Sequence, residues 1–195
     1  MQRDKRGPPG KLRIVAGTLR GSRLVVPDRP GLRPTSDRVR ETLFNWLMPV
    51  IDGARCLDLY AGTGALGIEA ISRGAAACTF VESDRALAAG LRENLARLKV
   101  EHARVVDGDA LATLAGKAEP FDLVFLDPPF GADLWDASAE RLETRGWLAA
   151  NAWIYVESPI GAALALPATW ALHREGQAGA VRFALYRRAA PDPVK

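Results

Sequence analysis

Hydrophobic positions change their period several times along this chain, and each change marks an element. Leu12, Ile14 and Val15, then Leu24, Val25 and Val26, interleave with arginines on either side of Gly17-Thr18-Leu19-Arg20-Gly21. That pattern predicts two short strands, 12–16 and 22–26, joined as a hairpin. Pro27 to Pro34 reads as a turn-rich connector. Val39, Leu43, Leu47 and Val50 or Ile51 then recur at helical spacing, with Thr35 or Ser36 placed to cap the helix.

From Arg55 onward, short apolar runs alternate with amphipathic stretches. Strands are predicted at 55–60, 77–81, 103–106, 121–126 and 153–157. Helices are predicted from 65 to about 73, over 84–98 with Leu87, Leu91 and Leu95 on one face, over 110–114, and over 137–149. The last two runs, 169–175 and 181–187, flank Gly176-Gln177-Ala178-Gly179, too short a link for a parallel crossover. They read as a terminal hairpin. The alternation predicts an α/β fold: a Rossmann-like, doubly wound, seven-stranded, mostly parallel sheet. A C-terminal antiparallel hairpin and a small N-terminal hairpin-and-helix extension complete it. The expected divisions are a flexible basic tail at 1–11, the extension at 12–50, the sheet domain at 51–190 and a tail at 191–195.

At 195 residues and 48% hydrophobic content the chain suits one such domain. No apolar stretch reaches the roughly 18–20 residues of a membrane span. The first residues lack the apolar segment of a signal peptide, so a cytoplasmic location is expected. Cys56 and Cys78 each fall inside a predicted strand and read as buried thiols. His102 and His173 lie far apart without ligand-spaced partners, and no metal site is expected. The net charge of +3 hides an asymmetry: residues 1–40 carry eleven basic and three acidic side chains, net +8, leaving −5 for the rest. An arginine-rich arm beside a near-neutral domain is the footprint of a nucleic-acid partner. Arg20, Arg23, Arg33, Arg38 and Arg40 are the candidates for phosphate contact, with Arg38 and Arg40 alternatively lining a cofactor cleft.

Gly62-x-Gly64-x-x-Gly67 follows a predicted strand and opens a helix, the context in which glycine lets a cofactor lie against the backbone. Candidate cofactor contacts are Asp58, Ala61, Gly62, Thr63, Gly64 and Gly67 around this turn. Glu82 and Ser83 end the next strand, where a carboxylate accepts from ribose hydroxyls. Asp109 and Ala110 follow the third, where Asp109 accepts from an adenine amine; Asp107 is the alternative there. The turn alone fits NAD as well as S-adenosylmethionine. Asp58 favours the latter, because a carboxylate attracts a cationic methionine end and repels a pyrophosphate. Asp58 has a plainer alternative role, bracing the turn. A dehydrogenase would also need a second domain, for which no chain remains.

The apolar run 121–126 ends in Asp127-Pro128-Pro129-Phe130. Each proline fixes φ and lacks an N–H, so this turn is stiff and its carbonyls stay out of a helix. A carboxylate and a backbone carbonyl can take both hydrogens of a nucleobase amine while Phe130 stacks on the base. Those four residues are the candidate catalytic set, and they point to N-methylation of a nucleic acid. Asp122 reads as an edge acid. Trp135, just past the turn, is placed to cover the base.

Together these blocks resemble the class I S-adenosylmethionine-dependent methyltransferases, and more narrowly the RsmD family of 16S rRNA guanine-N2 methyltransferases. The narrow match rests on Arg13–Gly21, Arg33–Leu47, Leu57–Ala70 and Asp127–Phe130, and extends over about 12–187. The glycine turn and Asp-Pro-Pro-Phe are superfamily signals; the Arg33–Leu47 block is the specific one. Ser36 stands where the family has threonine, and residues 1–11 match no family motif. The resemblance implies methylation of the exocyclic N2 of one guanine, on 16S rRNA within the assembled small ribosomal subunit. A monomer is expected. An adenine-N6 methyltransferase, a protein-glutamine methyltransferase, an NAD-dependent oxidoreductase and a non-catalytic RNA-binding protein are the rival readings.

Overall fold

The computed structural model describes residues 11–27 and 35–189. The tails at 1–10 and 190–195, and with them most of the two predicted tail segments, lie outside the described residues. An antiparallel hairpin comes first, β1 (Lys11–Arg13) with β2 (Arg23–Val25), followed by helix α1 (Asp37–Leu47). Then come β3 (Arg55–Asp58), α2 (Ala65–Ser72), β4 (Ala77–Glu82), α3 (Arg85–Arg97), β5 (Ala103–Asp107), α4 (Ala110–Leu114) and β6 (Phe121–Leu126). The chain continues through α5 (Trp135–Thr144), β7 (Leu148–Pro159), β8 (Trp170–Ala178) and β9 (Val181–Arg188).

The seven sheet strands stand in the order β5-β4-β3-β6-β7-β9-β8. Pairing is parallel from β5 to β7 and antiparallel at β7–β9 and β9–β8. Strand order reverses between β3 and β6, and open α/β sheets bind ligands in the crevice at such a switch point. Successive strand residues face opposite sides, so one strand feeds two cores. Leu123 and Phe125 pack with α1, α2 and α3 through Phe44, Ile68 and Leu91. Val124 and Leu126 pack with α4 and α5 through Leu114, Ala139 and Leu142.

The N-terminal extension is bolted onto α2 by a buried acid. Glu69 accepts hydrogen bonds from Val15 N at 2.9 Å and Ala16 N at 3.0 Å. Its carboxylate also pairs with Arg40 Nη1 at 3.3 Å and Arg73 Nε at 2.8 Å. β1 stops at Arg13, short of the predicted 16: Ile14 N still bonds Ser22 O, but the amides of Val15 and Ala16 leave the hairpin for Glu69. Close approach fixes the loop that follows, where a Cβ on Gly17 would stand 1.8 Å from Ser72 O.

Three other boundaries differ from expectation for local reasons. α1 ends at Leu47, whose carbonyl accepts from both Val50 N and Ile51 N in a tight turn. α5 ends before Gly146, and the apolar run from Trp147 that extends its pattern belongs to β7, where Leu148 pairs with Phe121. The terminal hairpin turns at Gly179-Ala180, because Gly176, Gln177 and Ala178 stay paired with β9.

Glu69→Ala removes the anchor and leaves the buried Arg40 with Asp37 as its remaining carboxylate partner. Breaking a buried ion pair from one side costs about 3–5 kcal/mol. Urea unfolding of the variant should show a loss of that order; a loss under about 1 kcal/mol would mean the extension is held elsewhere.

Candidate active site

Four carboxylates gather at the carboxyl ends of β4, β3, β6 and β7. Asp58 pairs in register with Phe80 and Phe125, so Glu82 and Asp127 sit two residues beyond it on either side. Leu126 pairs with Val156, which sets Asp127 level with Glu157 on the adjoining strand. All four fall on the face that packs against α1 and α2, since they share the alternation of Cys56, Phe80, Phe125 and Tyr155.

The glycine turn shapes one side of this crevice. Gly64 takes φ +76° as it opens α2, a conformation that L side chains rarely adopt. A Cβ on Gly67 would lie 2.3 Å from the Phe80 ring, so this glycine lets α2 press onto β4. Gly62 N donates to Glu82 Oε2 at 2.8 Å, and Asp84 N donates to Glu82 Oε1 at 2.7 Å. The carboxylate is thereby aimed across the mouth of the turn, where ribose hydroxyls are expected. Ala61 and Thr63 are buried in the turn and Ser83 is exposed beside Glu82. Asp109 caps α4 by accepting from Ala112 N at 2.8 Å, ahead of buried Ala110. Asp107 pairs with Arg92 at 3.1 Å.

Asp58 braces the turn: its Oδ2 accepts from Gly67 N at 3.1 Å, and the residue is 2% exposed. Burial pushes its carboxyl up to about 7; the Gly67 N–H opposes the rise and the Glu82 charge adds to it. Asp127 is half-buried. Burial first, then the charges of Glu157 and Asp58, hold its carboxyl well above the usual carboxylate range. Among the described residues, none of Asp58, Asp127 and Glu157 has a cationic partner.

The Asp127 turn is built for presentation. Pro129 O accepts from Ala132 N at 3.0 Å, while Pro128 O accepts no backbone hydrogen bond among the described residues. Phe130 is 41% exposed, its ring 5.9 Å from that of Trp135. Trp135 corrects its expectation as a cover for the base. It is 3% exposed, and its Nε1 donates to Glu157 O at 2.7 Å, so it supports Phe130 from beneath. Asp122 is no edge acid: at the amino-terminal end of the central strand β6 it accepts from Arg55 N at 2.9 Å.

Arg40 needs a second correction. It has no exposed surface and is spent on Asp37 at 2.6 Å, Glu69 and Arg13 O, so it contacts neither phosphate nor cofactor. Arg20, Arg23 and Arg38 are exposed; Arg33 lies outside the described residues. Arg38 stands in the first turn of α1 close to Thr35, while the Gly17–Arg20 loop is tied to Ser72 at the far end of α2. Sequence reasoning passes over Glu157, Thr35 and Tyr155. Thr35 Oγ1 and Tyr155 Oη both donate to Glu157 Oε1, each at 2.7 Å. The signal was an acid ending an apolar strand, the same sign that picks out Glu82 and Asp127.

The profile described as "Conserved hypothetical protein 95" matches residues 12–187. A relative from Escherichia coli (strain K12), "Ribosomal RNA small subunit methyltransferase D", is 53% identical over 191 residues, 97% of this chain and 96% of that one. The chain belongs to this family. Its Haemophilus influenzae relative of the same name is 46% identical over 91% of this chain and 94% of its own length. The solved structure of yhhF from Escherichia coli superposes with a TM-score of 0.86 at 53% identity, covering 93% of this chain and all of that one.

The crevice fits a cationic adenosine cofactor: Glu82 stands across the mouth of the glycine turn, Asp58 lies beneath it, and neither pairs with a cation among the described residues. The Asp58 carboxyl also makes stability depend on pH. A carboxyl raised in the folded state contributes most below its unfolded value near 4, and that contribution is lost as pH rises through about 7. The unliganded chain should lose stability across this window, by at most about 1.4 kcal/mol per pH unit from this group. Asp58→Asn should flatten the slope in urea titrations at successive pH; an unchanged slope would place the proton elsewhere.

Proposed function

We propose that this chain transfers a methyl group from S-adenosylmethionine to the exocyclic N2 of a guanine in 16S rRNA, within the assembled small ribosomal subunit. The observation that carries the reading is the placement of Asp127–Phe130 at the switch point, directly across from the glycine turn. Family membership supports ribosomal RNA of the small subunit as the substrate class. The protein acts as a cytoplasmic monomer in this reading; among the described residues no helix is long and apolar enough to cross a membrane.

When bound, S-adenosylmethionine supplies the methyl group as an electrophile. Gly62, Gly64, Glu82 and Asp109 would hold its adenosine half, and Asp58 would place negative charge beneath its methionine half. Asp127 and Pro128 O take the two amine hydrogens, which keeps the nitrogen lone pair out of the base ring and aimed at the methyl carbon. Placement at about 3–3.5 Å in line with the breaking bond supplies most of the acceleration. Phe130 stacks on the extruded base, worth roughly 1–3 kcal/mol. The base has to leave its stack to reach this turn. Arg20, Arg23 and Arg38, with Arg33, contact phosphate and hold the RNA.

Labelled methyl transfer to undermethylated small subunits, with naked 16S rRNA and duplex DNA alongside, tests the reading. Nuclease digestion and mass spectrometry should find one N2-methylguanosine on the particle; label on adenine or on DNA would move the function to an amine of another base. Asp127→Ala should lower the transfer rate on the order of 10²–10³-fold or more while cofactor affinity stays within a few-fold.

A further inference from the structure

The family-specific block at 35–47 reaches the crevice at one point, the bond from Thr35 to Glu157. Ser36 caps α1 by accepting from Val39 N, which frees Thr35 from capping and lets it turn inward. Thr35, Tyr155 and Glu157 are all buried, and the two hydroxyls converge on Glu157 Oε1. Burial raises the Glu157 carboxyl above its ordinary value, and the Thr35 and Tyr155 hydroxyls oppose that rise, since donors on a carboxylate favour its ionised form. Asp127, beside Glu157 on the next strand, receives no side-chain donor and no cation among the described residues. Two neighbouring carboxylates, Glu157 buried and Asp127 half-buried, do not both stay charged, and the proton goes to the one without donors.

The surroundings do not offset this. From β3 the nearby titratable group is Asp58, another acid, with Glu82 beyond it on β4. β7 contributes Tyr155, already bonded to Glu157. From α1, Asp37 and Arg40 are paired with each other. β9 sets apolar Phe183 opposite Glu157, and the neighbouring Arg182 is paired with Glu175 of β8 at 2.7 Å. From α5, Trp135 bonds the Glu157 backbone.

We propose that Glu157 is a positioning residue for Asp127: fixed and kept ionised by Thr35 and Tyr155, it makes Asp127 hold a proton until positive charge enters the crevice. This rests on the reading of Asp127 as the group that holds the amine. Protonated, Asp127 is the weaker acceptor and cannot take the proton that the methylated amine must lose. Asp127 gives its proton to solvent when a cationic cofactor binds, and then accepts a hydrogen bond from the amine. As the amine nitrogen bonds to the methyl carbon, the carbon–sulfur bond breaks with its electron pair left on sulfur. The nitrogen then carries an extra proton, which passes to Asp127. Asp127 ends protonated beside a neutral sulfur, the state in which it began. Glu157 thereby couples cofactor entry to readiness of the amine site, and Thr35 ties that coupling to the N-terminal extension.

The test is a carboxyl-carbon NMR titration of the cofactor-free protein, with Asp127→Asn used to assign the signal. Asp127 should titrate well above the ordinary value near 4. Glu157→Gln removes the neighbouring charge at constant shape, and the midpoint should fall by about one pH unit or more. Thr35→Val, which frees Glu157 to take the proton, should lower it by a smaller step, and Thr35→Ser should restore it. S-adenosylmethionine added without RNA should lower the wild-type midpoint. The acid limb of the single-turnover methyl-transfer rate should move down in Glu157→Gln by the same amount as the midpoint. An Asp127 midpoint equal in wild type, Glu157→Gln and Thr35→Val would overturn the proposal, as would one near 4 in the wild type. The titration needs neither RNA nor turnover, so failure to methylate guanine would be read separately from failure of the Glu157 role.

Discussion

Crowding of negative charge at one edge of the sheet is the constraint on which this structure turns. Register sets Glu82, Asp58, Asp127 and Glu157 across four adjacent strands on one face, and none of the four has a cation among the described residues. Such a row is costly in isolation, because buried like charges repel and take up protons. The fold offsets part of the cost with local donors: amides of the glycine turn for Asp58 and Glu82, hydroxyls of Thr35 and Tyr155 for Glu157. Asp127 receives none of these. The remaining deficit is an attraction for a cation, and it lies where the switch point places a ligand.

The N-terminal extension belongs to this arrangement. Glu69 locks Val15, Ala16 and Arg40 to α2, the helix whose first turn forms the glycine cradle. Thr35 then reaches Glu157 on the far strand of the crevice. Two of the few buried polar contacts of the extension thus bracket the cofactor side and the amine side. An RNA held by the exposed arginines of this segment rests on a part of the chain fixed to both halves of the site.

Much of this was legible in the sequence. Apolar runs of five or six residues ending in an acid gave the strands and three of the four carboxylates, and glycine spacing gave the cradle. What the sequence hid was direction. Thr35 and Ser36 are adjacent hydroxyls, and only packing decides that one caps a helix while the other turns into the site. Arg40 looks like its neighbour Arg38 in a list of cations, yet helical period turns it inward onto Glu69. Trp135 lies next to the Asp127 turn in sequence, but its indole N–H needs a partner and finds the Glu157 carbonyl under the floor of the site. Gly176 to Ala178 has turn composition, and antiparallel pairing of eight β8 residues with β9 overrides it.

Calorimetric titration of the unliganded protein with S-adenosylmethionine and, separately, with NAD tests most directly whether the acid row is a cation site. One S-adenosylmethionine should bind per chain, and NAD should give no measurable heat, because its pyrophosphate brings negative charge to a row of acids. Binding of NAD at the same stoichiometry, or no binding of S-adenosylmethionine, would contradict it.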